Sequence, residues 1–119
     1  MDKPWLKSYD PGVPAHIDYP DVPLHAFLED AARKHPNKTA TVFFNARLTY
    51  RQLDALANRV AAALRAGGLK KGERVGLILP NCPQFVASYY GVLKAGGVVV
   101  ANNPLYTASL SWYSSSRAV

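Results

Sequence analysis

Arg74-Val75-Gly76-Leu77-Ile78-Leu79-Pro80 is the stretch that decides the fold of this chain. Its apolar run lacks polar alternation, which suits a strand buried on both faces, as in a parallel sheet. Asn81 is placed to cap a following helix, with Gln84 three residues on as its capping-box partner. Phe85, Val86, Tyr89, Val92 and Leu93 recur at helical spacing, and Gly96-Gly97 offers the left-handed residue that stops the helix. Val98-Val99-Val100-Ala101 then resumes an extended, β-branched run, which Asn102-Asn103-Pro104 breaks. The expected unit is strand–helix–strand with a right-handed crossover.

Working back from it, Leu53, Leu56, Ala57, Val60, Ala61 and Leu64 form one helical stripe. Thr49 and Gln52 make a capping box at its start, Leu48 and Leu53 occupy hydrophobic-staple positions, and Gly67-Gly68 ends it. Before it, Ala40 to Phe44 and Arg47 to Tyr50 read as two short strands turning at Asn45-Ala46. Leu24, Phe27, Leu28, Ala31 and Ala32 give an earlier helical face, starting near residues 21–23 and stopping before Pro36. Residues 1–23 are Pro-rich with no period and read as an extended leader pinned to the body by Trp5, Leu6, Tyr9 and Ile17. Trp5 and Tyr9 also suit a membrane interface, although packing is the commoner use of such side chains. The order helix, hairpin, helix, strand, helix, strand predicts an α/β fold with a largely parallel sheet flanked by helices.

At 119 residues and 49% apolar content the chain can build one core. Fourteen Lys and Arg against eight Asp and Glu give a net charge of +6. Only Arg33-Lys34 and Lys70-Lys71 are adjacent, and no aromatic-interleaved basic stripe exists, so a solvated surface is expected and nucleic-acid binding is not. Cys82 is the single cysteine, which excludes an intrachain disulfide and suits a reducing compartment. Met1-Asp2-Lys3-Pro4-Trp5 has no apolar signal-peptide core, and no run is long enough to cross a bilayer. A cytoplasmic protein is expected, with peripheral contact to a membrane as the alternative.

Catalytic chemistry is hard to find in these residues. Neither G-x-G-x-x-G nor G-x-x-x-x-G-K-[ST] occurs, nor a G-x-S-x-G elbow. Glu29 and Asp30 are neighbours on one helix surface rather than a facing pair. His25 and His35 have no third ligand nearby and read as surface histidines rather than a metal pair. Cys82 stands at a helix start, where a reactive thiol is one option, but without a neighbouring base it reads as a small residue filling the first turn. No catalytic, cofactor-binding or metal residue is assigned.

Several stretches together resemble the N-terminal end of the adenylate-forming acyl-CoA synthetases. Leu48-Thr49-Tyr50-Arg51-Gln52-Leu53 is similar to the first core motif of that superfamily, and Leu93 to Pro104 to its second. Lys71 to Val75 and Leu79-Pro80-Asn81 keep the spacing between them. The leader, with Trp5-Leu6, Tyr9, Gly12-Val13-Pro14 and Ile17, together with Asn103 to Thr107, is most similar to bacterial long-chain fatty-acid–CoA ligases. The resemblance implies a two-step reaction: a fatty acid and ATP give an acyl-adenylate, and the thiol of coenzyme A displaces AMP. It implies Mg²⁺ and ATP for the full-length enzyme, with the phosphate loop, nucleotide contacts and mobile lysine all beyond the stretch represented. A ligase for another carboxylic acid, and a non-catalytic α/β interaction module, are the alternatives.

The resemblance covers about residues 3–107, so 24–107 is expected to be an incomplete α/β part of the ligase domain, and 108–119 a tail foreign to it. Such ligases usually continue after the position of Thr107 with a Pro or similar residue, then Arg-Glu-Leu-Glu and, a little later, Ser-Gly. One choice of codons compatible with Thr107 to Tyr113, ACC GCG AGC TTG AGC TGG TAT, gives Arg-Glu-Leu-Glu-Leu-Val when read from the last base of ACC, so the protein sequence is compatible with a shifted frame. A frameshifted, truncated ligase is therefore expected, inactive by itself. Its Val98 strand would be left as an apolar edge, open to self-association or aggregation. Losing the burial of a few large side chains, about 2 kcal/mol each, rivals the stability of a small domain.

Overall fold

The computed structural model describes residues 3–105. It contains helix α1 (His25–Lys34), strands β1 (Thr39–Phe43) and β2 (Ala46–Thr49), helix α2 (Tyr50–Ala66), strand β3 (Arg74–Ile78), helix α3 (Pro83–Ala95) and strand β4 (Val98–Asn102). The element order is the expected one and the class is α/β. The foreign tail expected at 108–119 lies outside the described residues.

The short hairpin and the parallel strand pair expected from the sequence are both present. β1 and β2 form a separate antiparallel hairpin, and only β3 and β4 pair in parallel. The hairpin turns at Phe44-Asn45, one residue earlier than expected, because Phe43 pairs with Ala46. Phe44 and Asn45 both have positive φ, 44° and 66°, which matches the right-handed twist of a tight two-residue hairpin.

α2 begins as the sequence dictates. The Thr49 amide donates to Gln52 Oε1 (2.9 Å) and the Gln52 amide to Thr49 Oγ1 (3.3 Å), so two orphan donors are satisfied reciprocally. The start of α3 is a correction. Cys82, not Asn81, is its cap residue and makes no side-chain hydrogen bond, while Pro83 opens the helix with φ already fixed and no amide to satisfy.

The core lies between α1, α2 and α3. Leu28, Leu53, Ala57 and Ala87 are buried together, with Tyr50, Leu56, Val86 and Tyr90 packed around them. The buried face of α3 is its small-residue stripe, Ala87, Gly91, Val92 and Ala95, whereas the larger Phe85, Tyr89 and Leu93 are half-buried. A Cβ at Gly91 would lie 2.6 Å from Val60 Cβ, so the helices approach to a distance that only glycine permits there. On α1, Leu28 is buried while Phe27 and the preceding cap residue Leu24 are exposed, so the inward face is narrower than its periodicity predicts. The leader is a further difference: Pro4–Ser8 forms a short 3-10 turn, and Trp5, Tyr9 and Ile17 are exposed, leaving only half-buried Leu6 among the expected pins.

The parallel pair is laced at its starting end. Gly96, with φ of 87°, reverses the chain after α3. The Gly72 amide donates to the Gly96 carbonyl and the Val98 amide to the Glu73 carbonyl, each at 2.8 Å.

Candidate functional site

Because β3 and β4 are parallel and in register, Ile78 and Asn102 finish side by side. The chain leaves β3 through Leu79-Pro80-Asn81 towards α3, and leaves β4 through Asn103-Pro104. Both prolines lack the amide that would extend a ladder, so the strands stop together. Between the two exits lies a crevice of about 430 Å³, lined among others by Leu79, Asn81, Phe85, Asn102, Asn103 and Leu105. Asn103 Oδ1 accepts the Leu105 amide (2.9 Å) and bends the chain at the crevice rim. Asn102 is 5% exposed, and its side-chain amide donates to the Val100 carbonyl (3.4 Å).

Ligands of open α/β sheets bind at this end of the strands. Among the described residues the lining consists of amides and apolar side chains, with no titratable group. These residues can hold and orient a ligand by shape and hydrogen bonding, and none of them can exchange a proton with one.

Charge gathers elsewhere. Lys94 Nζ lies 2.6 Å from Asp54 Oδ1, 2.8 Å from Asn58 Oδ1 and 3.2 Å from Glu29 Oε1, with its side chain 7% exposed. Three ammonium protons meet three oxygens, on α1 and α2, so the charge is spent on joining helices. The Arg65 guanidinium also donates to the Lys94 carbonyl at the end of α3. This clasp was not legible as a unit, because its members are 40, 36 and 65 residues apart in sequence; the one local signal is Asp54 and Asn58 four apart on one face of α2.

A sequence profile described as "AMP-binding enzyme" matches residues 28–110. The chain belongs to the AMP-binding enzyme family. It is 49% identical over 105 residues to the long-chain-fatty-acid–CoA ligase of Bacillus subtilis (strain 168), an alignment covering 88% of this chain and 19% of that protein. Among solved structures it is similar to the N-terminal domain of FACL13 from Mycobacterium tuberculosis, at TM-score 0.70 and 37% identity over 76% of this chain and 24% of that one. The N-terminal subdomain of NpsA from Klebsiella oxytoca shares the fold, at TM-score 0.76 and 23% identity over 80% and 25% of the two chains. The chain thus spans about a fifth of the length of the curated ligase it matches.

Within this AMP-binding enzyme chain, the residues singled out from sequence do not converge. His25 is half-buried on α1, His35 is exposed beyond it, and Cys82 is half-buried at the start of α3. Asp30 faces Lys34 (2.6 Å) and Arg33 on the α1 surface, and the Lys34 and then the Arg33 hydrogen bonds hold its carboxyl below the ordinary range. Among the described residues no group of three or more His, Cys, Asp or Glu could hold a metal ion. No helix among them is long and apolar enough to cross a membrane.

Proposed function

We propose that this chain is the N-terminal scaffold of an ATP-dependent long-chain fatty acid–CoA ligase. The whole enzyme would convert fatty acid, ATP and coenzyme A to acyl-CoA, AMP and pyrophosphate in the cytoplasm, with Mg²⁺ and the phosphate-binding groups supplied by sequence beyond these residues. The 49% identity to the Bacillus subtilis ligase over 88% of the chain carries this reading. The chemistry at hand agrees with a scaffold role: among the described residues the crevice holds no titratable group, and Lys94 is engaged between helices. The crevice would contribute an apolar, amide-edged wall to the substrate cleft, at the strand ends where α/β folds bind ligands.

The test is a fusion in which this chain replaces the matching stretch of the Bacillus subtilis ligase. Palmitate-dependent ATP–pyrophosphate exchange should survive in the fusion and be undetectable with the 119-residue chain alone. Exchange by the chain alone would sink the scaffold reading; a folded fusion active on another acid but not on palmitate would sink the substrate.

A further inference from the structure

We infer that the tip of the β1–β2 hairpin, built from Val42, Phe43 and Phe44, is a contact for an anionic lipid bilayer. Phe44 is 90% exposed, Val42 61% and Phe43 38%. The Phe43 and Phe44 rings meet edge to face, 4.6 Å between centroids, so the two form one apolar knob at the end of the turn. The turn itself does not call for it. Both turn positions have positive φ, where Asn, Asp or Gly sits easily and a bulky side chain is rare. Asn45 follows that preference, whereas Phe44, at φ of 44°, does not. Among the described residues no core burial compensates, because the Phe44 ring stands in solvent.

The knob is convex, so its occupant must enclose it, and charge selects the occupant. Between Asp30 and Asp54 the chain carries no Asp or Glu, yet it holds Arg33, Lys34, Lys38, Arg47 and Arg51. Arg33 and Lys34 are engaged by Asp30, while among the described residues Lys38, Arg47 and Arg51 are in no ion pair. Arg47 lies directly across the ladder from Val42, hence on the same face, one pair behind the knob. Lys38 and Arg51 stand at the root, where the Tyr50 amide donates to the Lys38 carbonyl (3.0 Å) and the Arg51 amide to the Pro36 carbonyl (3.2 Å). The strand from Thr39 to Phe43 spans about 13 Å at about 3.3 Å per residue. With the rings about 5–10 Å below the headgroups, the root cations come within about one Debye length, roughly 8–10 Å, of the lipid phosphates. An anionic bilayer thus offers hydrocarbon at the level of the rings and phosphate at the level of Arg47, without demanding a matching shape. The contact goes beyond the ligase reading and does not depend on it.

Flotation of the full chain with vesicles tests this, since aggregated protein does not rise with lipid. The chain should float with vesicles of equal parts phosphatidylglycerol and phosphatidylcholine, and several-fold less with phosphatidylcholine alone. Phe44→Asn suits the turn, so it should keep the circular dichroism and melting temperature yet lower partitioning roughly tenfold. Arg47→Gln should lower it about fivefold on the mixed vesicles and leave phosphatidylcholine unaffected. Trp5→Ala, in the leader, should change nothing. No flotation of the unchanged chain with the mixed vesicles, equal flotation of all variants, or loss with Trp5→Ala instead overturns the proposal. So does a dimer in solution, or a protein partner retained in detergent, that Phe44→Asn abolishes, because the knob is then occupied by protein. The fusion with the Bacillus subtilis ligase should show the same Phe44 dependence, with palmitate-dependent exchange read separately. An inactive fusion that still floats counts only against the ligase activity; an active fusion whose flotation is absent or ignores Phe44 overturns the bilayer contact.

Discussion

Lys94 is the residue whose loss should be felt most. Replacing it with Met removes the donor from Asp54 Oδ1 and Asn58 Oδ1 and leaves a carboxylate, whose side chain is 22% exposed, facing apolar surface. Breaking a buried pair from one side is destabilising, and with Asp54 partly wet we expect about 2 kcal/mol, read from urea unfolding. Lys94→Met combined with Asp54→Leu should recover part of that loss; strict additivity would show the two are not coupled. Asp30 gives a smaller, pH-dependent effect. Its carboxyl titrates below the ordinary 3.8 in the folded chain, so its contribution is complete above that value and fades as pH falls through the folded one. The melting temperatures of the chain and of Asp30→Asn should therefore converge in acid, and should already be close in high salt, since the pair is exposed. Convergence on raising the pH instead would contradict the assignment. None of these partnerships could be read from the chain, except the local spacing of Asp30, Arg33 and Lys34.

Among the elements, legibility tracked how local the determining contacts are. The capping box of α2 was readable because Thr49 and Gln52 are three residues apart and satisfy one another's backbone. The inward face of α3 was not, since large apolar residues dominate a periodicity count while its actual contact with α2 is made by small ones. Gly91 tests that contact. Gly91→Ala brings a methyl group 2.6 Å from Val60 Cβ and should destabilise by about 1–3 kcal/mol despite alanine's better helix propensity. Val60→Ala in the same chain should restore much of it. If Gly91→Ala alone is neutral or stabilising, the helices are not in close contact there. The hairpin turn slipped by one residue because nothing local favours Phe44 at positive φ; the pairing of Phe43 with Ala46 imposes it.

Over the whole molecule, the order of elements and the α/β class were legible, since each segment carries its own period and stop signals. The β1–β2 hairpin was legible as well, since its strands adjoin in sequence; that it stays apart from the β3–β4 pair was not, because that depends on contacts far apart in sequence. Apolar residues such as Ile78 and Val98 read as core in the sequence and stand exposed in the structure. Changing either to Lys should accordingly leave stability within about 0.5 kcal/mol, as for an ordinary surface position, while raising solubility. A loss of several-fold more, seen in thermal unfolding, would mean that these side chains are already covered. The crevice at the strand ends belongs to the same scale: no single motif announces it, and it exists only once Leu79 and Leu105 are brought together across the parallel pair.

The lacing of Gly72 to Gly96 and of Glu73 to Val98 fastens β3 and β4 at their origin, like fingers joined at the palm. Their tips, Ile78 and Asn102, are the last pair of the ladder, which Pro80 and Pro104 prevent from continuing, so breathing should begin there and travel backwards. Deuterium uptake would map that gradient, slow at Val98 and faster towards Asn102. Breathing of this kind would let the mouth of the crevice widen to admit a guest while its root stays shut.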